Sequence, residues 1–370
     1  MAAQQSIHTL TIRGFRSFRQ LDKFRLSTGL NVLIGGNGSG KSNFISFFKL
    51  LYEITEERLG LSTGRAGGAE RLLFRGRKNT SEISSEIGFG YNKFRFAIAP
   101  TADDRFIFTE EFAIFSGVYY GANNISLGTG HTESKLRERY KVARPGSVLD
   151  YVYTAISHWR VYHFHDTSDT AEIKRPGPAH DIAMLRPDAG NLAAFLAHLQ
   201  RSGAESLDLI ARTIQLVIPS FREFSFIERD ANGETMVQLL WHERDHDYPL
   251  HLNQLSDGSL RFICLATALL QPNPPSTIII DEPELGLHPA AITVLASLFK
   301  QAAARTQVIT STQSPLLLNH FEPEDLIVVD REDGASVLKR LDRAALSDWL
   351  NEYSLSDLWQ KNVIGGRPSR

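Results

Sequence analysis

Three short strings in a fixed order constrain this chain more than any other feature. They are GGNGSGKS at Gly35–Ser42, LSDGS at Leu255–Ser259 and IIIDEPELGLHP at Ile278–Pro289. The first string matches the pattern G-x-x-x-x-G-K-[ST], in which glycines and a lysine surround phosphate groups. The third is an apolar run that ends in two adjacent carboxylates, which suits a divalent cation at a strand end. Together the strings predict a nucleotide-binding α/β protein.

The segment around the first string has the strand, loop and helix order that phosphate binding needs. The apolar run Leu30–Ile34 predicts a buried strand, and the apolar spacing after Lys41 predicts a helix whose N-terminus faces an anion. Lys41 would contact the β- and γ-phosphates, and Ser42 would offer its hydroxyl to Mg²⁺. The alternative is a glycine-rich turn with an incidental lysine. The predicted nucleotide contacts of this loop are Gly35, Gly36, Asn37, Gly38, Ser39, Gly40, Lys41, Ser42 and Asn43.

The acidic pair follows a strand of the kind found inside parallel sheets. Thr277–Ile280 is a β-branched run, which predicts a central strand that is buried on both faces. At its end, Asp281 would hold Mg²⁺, and Glu282 would orient or deprotonate an attacking water. Glu284 has an alternative interpretation as a helix cap.

The middle string predicts the start of an amphipathic helix. Ser256 is a suitable N-cap, and Gly258 allows a phosphate to approach the helix N-terminus closely. The alternative is an ordinary capped helix that binds no ligand.

The order and spacing of the three strings resemble the ATPase heads of the ABC superfamily. The opening IHTLTIRGFRSFRQL (Ile7–Leu21) and the pair His288-Pro289 resemble the SMC, RecF and OLD branch of that superfamily rather than membrane transporters. The resemblance implies an ABC-type P-loop ATPase head with a mixed central sheet, an antiparallel β subdomain and a helical lid insertion. It implies ATP and Mg²⁺ as cofactors and a homodimer that sandwiches ATP. In that dimer Ser256 and Gly258 would bind the γ-phosphate held by the other copy.

Two departures from the superfamily pattern concern the groups around the γ-phosphate. In the string VITSTQSP, Gln313 stands where ABC heads place a switch histidine, so the predicted catalytic residues are Lys41, Glu282 and Gln313. The alternative for Gln313 is a polar cap on the helix after Pro315. In addition, no glutamine occurs between Gln20 and Gln200, so the glutamine of the ABC Q-loop is missing. Arg16, in the basic turn of the opening, is a further predicted nucleotide contact.

The segment between the first two strings predicts an antiparallel meander, a loop, a short charged helix, two lid helices and a hairpin that turns at Asn232-Gly233. No heptads are sustained, so a long coiled-coil arm is not predicted. The elements in chain order are Glu82–Gly90, Lys93–Ala99, Arg105–Ile114, the loop Gly117–Gly130, the helices Glu133–Lys141, Leu192–Leu199 and Leu207–Ile218, and the strands Phe221–Glu228 and Glu234–Trp241. The predicted domains are residues 1–130 (nucleotide-binding lobe with antiparallel sheet), 131–250 (lid insertion), 251–345 (signature and acidic strand) and 346–370 (tail).

Two clusters of polar residues in this middle segment have competing interpretations. His163, His165 and Asp166 have the spacing of metal ligands, but a polar contact near the nucleotide and ordinary strand-end packing are alternatives. The string RLLFRGRKN at Arg71–Asn79, with Arg13, Arg16 and Arg19, could contact a DNA backbone. A solvated basic face is the alternative.

Composition indicates a chain that works inside the cell. Its 370 residues can bury a large core, and its net charge of −2 gives no overall attraction to nucleic acid. The single cysteine, Cys264, excludes a disulfide framework, so a reducing, cytoplasmic location is predicted. No apolar stretch is long enough to span a membrane, and no membrane partner is expected.

An ATPase head of this branch suggests three functions, of which the sequence favours the first two. The first is a DNA-acting ATPase in repair or genome maintenance. The second is a nucleotide-gated sensor or scaffold that controls a separate effector in phage defence, through the insertion Gly117–Arg144 or the tail Leu346–Arg370. The alternative for the tail is that it docks back on the head. The third is a nuclease of the OLD type, for which the roughly fifty-five residues after Pro315 are too few.

Overall fold

The architecture comes from a computed structural model, which describes residues 5–117, 121–231 and 233–366. The strands are β1 (Thr9–Phe15), β2 (Phe18–Arg25), β3 (Leu30–Ile34), β4 (Ile83–Phe89), β5 (Asn92–Pro100), β6 (Phe106–Gly117), β7 (Gly121–Ser126), β8 (Trp159–Tyr162), β9 (Gly177–Pro178), β10 (Phe221–Ala231), β11 (Glu234–Glu243), β12 (Leu250–His251), β13 (Thr277–Ile280), β14 (Gln307–Thr312), β15 (Leu326–Glu332) and β16 (Ala335–Arg340). The helices are α1 (Lys41–Thr55), α2 (Leu59–Arg65), α3 (Leu136–Lys141), α4 (Val148–Ser157), α5 (Leu192–Ser202), α6 (Ala204–Val217), α7 (Asp257–Leu270), α8 (Pro289–Ala303), α9 (Pro315–Leu318), α10 (Arg343–Leu350) and α11 (Leu355–Gln360).

The central sheet is mixed, as predicted. Its order is β16-β15-β3-β14-β13-β8, with parallel pairs throughout except for the antiparallel edge strand β16. Thr312 pairs with Ile34, and Ile280 pairs with both Thr310 and Tyr162, so the carboxyl ends of four parallel strands lie at one edge. This edge is where ligands bind in parallel sheets, because the loops that follow the strands converge there. Strands from residues 1–130, 131–250 and 251–345 all contribute to this one sheet.

A second sheet is antiparallel and confirms the predicted meander. Its order is β2-β1-β4-β5-β6-β7, and α1 packs beneath it through buried phenylalanines such as Phe44 and Phe48. The prediction of a loop at Gly117–Gly130 was wrong, because β7 pairs with β6 from Gly121 to Ser126. An edge strand is held by backbone hydrogen bonds, so its glycines and asparagines gave no apolar alternation to recognise. Residues 118–120 lie outside the described part.

The lid consists of α5, α6 and the hairpin β10–β11, which forms a small third sheet with β9 and β12. The ends of both lid helices and both hairpin strands differ from the predicted ends by at most three residues. Asn232 of the predicted turn lies outside the described residues. Ile210 and Ile214 of α6 share one buried cluster with Trp241 of β11 and Ile263 of α7. The lid therefore supports the helix that begins at the LSDGS string.

The tail is docked on the head. Leu355, Leu358 and Ile364 are buried in the core cluster, and the backbone N–H of Gly366 donates to the Asp330 carboxylate at 3.2 Å. A Cβ atom on Gly366 would lie 3.3 Å from the Cα of Gly35. The docking interpretation of the tail is therefore the one that the structure supports. None of the described helices has the length and apolar character needed to cross a bilayer.

Candidate nucleotide site

The first glycine-rich string forms a tight loop between β3 and α1. Gly38 and Gly40 have φ angles of 77° and 116°, in the left-handed region that other residues rarely adopt. A Cβ atom on Gly40 would lie 2.0 Å from Ser336 Oγ, and one on Gly35 would lie 2.4 Å from the Val329 carbonyl oxygen. The N-terminus of α1 has no side-chain cap and no acidic residue in its first turn. Its backbone N–H groups are therefore suited to an anion such as a phosphate.

Lys41 is folded over this loop. Its side chain is only 4% exposed, and its Nζ donates to the carbonyl oxygens of Gly35 at 2.7 Å and Gly36 at 3.1 Å. Burial lowers the pKa of Lys41, whereas the nearby carboxylates of Glu282 and Asp281 act in the opposite direction. A phosphate would offer this ammonium a stronger, charged acceptor than the two carbonyls. The loop and its lysine thus fit a nucleotide phosphate.

The acidic pair follows β13 at the same edge of the sheet. The hydroxyl of Ser311, on β14, donates to the Asp281 carboxylate and accepts from the Glu282 backbone N–H at 3.1 Å. Glu282 has a φ of 45°, which is strained for a residue with a side chain. The neighbouring strand therefore holds both the Asp281 side chain and the strained Glu282 backbone. Ser311 lies within the VITSTQSP string, but its role was not predicted.

Gln313 lies directly against the acidic pair. Its side-chain Nε2 donates to the Glu282 carboxylate. The alternative interpretation of Gln313 as a helix cap is wrong, because Ser314 caps α9 and accepts from the Leu317 backbone N–H at 3.2 Å. The structure thus brings together Lys41, Glu282 and Gln313, the three predicted catalytic residues.

Replacing Gln313 with alanine is expected to lower kcat about tenfold while leaving KM for ATP within about twofold of the parent value, because only the orientation of Glu282 is lost. Steady-state ATPase kinetics with Mg²⁺ would measure both constants. Gln200→Ala, at an exposed position of α5, is the matched control and should behave like the parent. If the Gln313→Ala chain had the kcat of the parent, the contact between Gln313 and Glu282 would not contribute to catalysis.

Glu284 has a structural contact that the sequence did not predict. Its carboxylate is buried and accepts from Thr312 Oγ1 at 2.6 Å and from the Gln313 backbone N–H at 2.9 Å. Burial raises the pKa of Glu284. The cap interpretation of Glu284 is wrong, because His288 caps α8 and accepts from the backbone N–H of its second residue at 3.3 Å. Glu284 therefore fixes the backbone of Gln313. The sequence signal for this contact is the string DEPE at Asp281–Glu284, in which a third carboxylate follows the acidic pair.

Arg16 and Asn43 join the opening turn of the chain to the phosphate-loop helix. Arg16 has a φ of 47°, and its Nη1 donates to Asn43 Oδ1 at 3.5 Å. Asn43 Nδ2 in turn donates to Ser17 Oγ at 2.9 Å. Arg16 thus contacts the first turn of α1 at the residue that follows Ser42, and Ser42 is exposed.

The LSDGS string begins α7 as predicted. Ser256 Oγ accepts from the Ser259 backbone N–H at 3.2 Å and caps the helix, and Ser256 is exposed. Gly258 packs so closely that a Cβ atom there would lie 2.4 Å from the Gly286 carbonyl oxygen. Among the described residues, no hydrogen bond or ion pair joins Ser256 or Gly258 to the phosphate loop of the same chain.

The histidine cluster directly follows β8 in the structure. Asp166 accepts from the Ser168 hydroxyl at 2.7 Å and from the Ser168 backbone N–H at 3.1 Å. Within residues 5–117, 121–231 and 233–366, no three His, Cys, Asp or Glu side chains converge as a metal cluster. The metal interpretation of His163, His165 and Asp166 is therefore not supported.

Three arginines of the predicted DNA-contacting stripe have polar partners within the chain. Arg13 forms an ion pair with Asp22 at 2.9 Å. Arg19 and Arg75 both donate to the Asp333 carbonyl oxygen, at 3.2 Å and 2.7 Å. These contacts favour the interpretation of a solvated basic face.

The chain matches one family model and is similar in fold to solved proteins. The family model described as "AAA domain, putative AbiEii toxin, Type IV TA system" matches residues 30–319. The fold is similar to that of a solved SMC head bound to the C-terminal winged-helix domain of ScpA, with a TM-score of 0.60 and 17% identity over 92% of this chain and 99% of that one. It is also similar to an SMC head with an extended coiled coil from Pyrococcus furiosus, bound to the C-terminal domain of ScpA, with a TM-score of 0.61 and 14% identity over 94% of this chain and 99% of that one.

Curated relatives match over shorter stretches. The chromosome partition protein Smc of Mycobacterium tuberculosis is 32% identical over 21% of this chain and 6% of its own length. The OLD nuclease of Thermus scotoductus is 36% identical over 21% of this chain and 16% of its own length. The Nod factor export ATP-binding protein I of Bradyrhizobium diazoefficiens is 31% identical over 33% of this chain and 31% of its own length. The chain thus spans at most about a third of these relatives.

Proposed function

Because this chain belongs to that AAA-domain family and has the fold of an SMC-type ABC ATPase head, we propose that it binds ATP with Mg²⁺ and hydrolyses it to ADP and phosphate. The observation that supports this most is the meeting of the phosphate loop, Lys41, the Asp281–Glu282 pair and Gln313 at one edge of the central sheet. Phosphoryl transfer depends mainly on positioning and charge stabilisation, and these groups supply both.

Each of these groups has a distinct role in the proposal. The backbone N–H groups of the loop and the Lys41 ammonium bind the phosphates, and Ser42 and Asp281 are the residues that would hold Mg²⁺. The bound ion would offset charge on the phosphate oxygens. Glu282 orients the attacking water and accepts its proton, and Gln313 holds the Glu282 carboxylate in place. The two hydrogen bonds of the Ser311 hydroxyl hold the Asp281 side chain and the Glu282 backbone in place.

We also propose that hydrolysis takes place in a homodimer with two composite ATP sites. The support is the exposed, capped N-terminus of α7, which has no polar contact with the phosphate loop of its own chain among the described residues. A helix N-terminus is suited to a γ-phosphate, and a two-fold dimer would bring that terminus to the loop of the other copy.

Complementation between two inactive chains tests this arrangement. Lys41→Ala removes the phosphate contact, and Ser256→Arg crowds the terminus that would face the other copy's γ-phosphate. Each variant alone is expected to be inactive. A mixture should regain up to about a quarter of the parent activity, because half of randomly formed dimers have one intact site of two. A phosphate-release assay on mixtures of varied ratio would measure the gain.

The control for the mixture is the Lys41→Ala/Ser256→Arg double variant, which has no intact half to contribute. Adding it to either single variant should restore nothing. A Ser256→Arg chain that hydrolyses ATP normally on its own would show that the composite site is wrong, while leaving the phosphate-loop assignment intact.

For the biological role we propose DNA repair or genome maintenance. The support is partial similarity to proteins named chromosome partition protein Smc and OLD nuclease. The alternative is control of a separate effector, such as a toxin or nuclease in phage defence, and the words "Type IV TA system" in the family description favour it. Fluorescence anisotropy with labelled duplex DNA, with and without ATP, separates the two. ATP-dependent, salt-sensitive binding supports the DNA role, and its absence supports effector control.

A further inference from the structure

Arg261 connects three segments of the candidate site and has no part in the chemistry described above. It lies in the second turn of α7, just after the LSDGS string. Its Nη1 donates to the Leu285 carbonyl oxygen at 3.0 Å, and its Nη2 donates to the His165 carbonyl oxygen at 3.0 Å. Its Nε is buried and has no acceptor among the described residues. One guanidinium therefore holds α7, the loop after β13 and the segment after β8.

The loop that Arg261 holds is the one that carries the acidic pair. The Leu285 backbone N–H donates to the Glu282 carbonyl oxygen at 3.3 Å, so the residue that accepts from Arg261 also contacts Glu282 directly. Arg261, Asp281 and Glu282 line one small cavity of about 10 Å³. The Arg261 guanidinium and the Glu282 backbone are thus linked through a single turn of the loop.

A second contact joins the same two elements. Gly258, in the first turn of α7, packs directly on the Gly286 carbonyl oxygen. Gly286 has a φ of 77°, and a Cβ atom there would lie 2.9 Å from Arg261 Nη1. Two glycines therefore allow the start of α7 and the acidic loop to approach closely, and Arg261 fixes them together at that distance.

We propose that Arg261 is a positioning residue that couples the N-terminus of α7 to Glu282. The proposal rests on the proposed ATPase function and deepens it. In this coupling, a phosphate that binds the N-terminus of α7 displaces that helix, which has 14 residues. Arg261 passes that movement to the Leu285 carbonyl and so to Glu282. Hydrolysis then depends on whether a phosphate occupies the N-terminus of α7. The reaction is thereby tied to assembly of the composite site.

The planar guanidinium is needed for this role. Two of its N–H groups reach carbonyl oxygens on separate segments at the same distance, which a single ammonium on a flexible stem does not reproduce. Lysine keeps the positive charge and most of the length of the side chain. Arg261→Lys therefore removes the bridge while preserving the local charge.

The test compares Arg261→Lys with the full-length parent. We expect kcat to fall about ten- to a hundredfold, with KM for ATP and the melting temperature close to the parent values. In a Glu282→Gln background, Arg261→Lys should still form the ATP-dependent dimer in light scattering. The matched control is Arg305→Lys, since Arg305 also donates to two carbonyl oxygens, those of Gln271 and Pro272, at the far end of α7. Its kcat should equal that of the parent.

The outcomes separate this inference from the function on which it rests. A parent chain without ATPase activity would overturn both. An active parent with an equally active Arg261→Lys variant would overturn the coupling alone. Loss of the ATP-dependent dimer, or a fall in melting temperature that accompanies the fall in kcat, would assign Arg261 to holding the fold instead.

Discussion

Lys41→Ala is expected to abolish ATP binding at micromolar nucleotide. Lys41 Nζ is the buried cation of the phosphate loop, and it lies within electrostatic reach of Asp281 and Glu282. Removing one partner of a buried, charge-assisted contact costs about 2–5 kcal/mol, which is about thirtyfold or more in affinity. Titration calorimetry with ATP and Mg²⁺ would measure the change.

The control for this variant lies on the same helix. Lys49 is exposed, two turns further along α1, and Lys49→Ala should bind ATP as the parent does. Both variants should keep the parent melting temperature within a few degrees. Lys41→Ala removes two hydrogen bonds to carbonyl oxygens, but it also removes the free-energy cost of burying the lysine charge. Equal ATP affinity of Lys41→Ala and the parent would contradict the assignment of the phosphate loop.

Glu282→Gln is expected to bind ATP but to lower kcat by about 10²- to 10⁴-fold, the usual contribution of a general base. The amide has the same shape as the carboxylate, and its oxygen can still accept from Gln313. Because the product is not formed, the ATP-bound dimer should accumulate. Stopped hydrolysis in a phosphate-release assay, together with a doubled mass in light scattering on addition of ATP, would show both effects.

Glu284→Gln is the informative comparison for this variant. The amide oxygen of the new glutamine can still accept from Thr312 and from the Gln313 backbone N–H. Burial raises the pKa of Glu284, so the neutral amide suits the same surroundings. We expect a change in kcat of no more than a few fold. An equal loss of activity in Glu282→Gln and Glu284→Gln would contradict Glu282 as the single base.

The parts of the site that could be predicted are those that short runs of consecutive residues determine. The loop Gly35–Ser42, the strand Thr277–Ile280 and the cap at Ser256 each depend on backbone conformation or periodicity over a few positions. The left-handed φ of Gly40 and the close contact of Gly35 with Val329 show why the glycine pattern is demanding enough to recognise. The ATPase-head fold followed from these strings because their order along the chain resembles one superfamily.

The contacts that link these strings could not be predicted from local patterns. Ser311 meets Asp281 across 30 residues of sequence, and Thr312 meets Glu284 across 28 residues, because β14 is the parallel neighbour of β13. Strand order in a sheet is not encoded in the periodicity of either strand. The same holds for β7, whose backbone pairing needs no apolar alternation.

The sequence by itself thus determined the phosphate loop, the acidic strand end and the capped helix, since glycine conformation, strand burial and capping act within one turn or strand. Only the tertiary structure decided that Gln313 contacts Glu282, that Arg261 bridges His165 and Leu285, and that the tail docks beside Gly35. These contacts join residues that are distant in sequence, and their geometry is set by sheet order and helix packing, which no local pattern specifies.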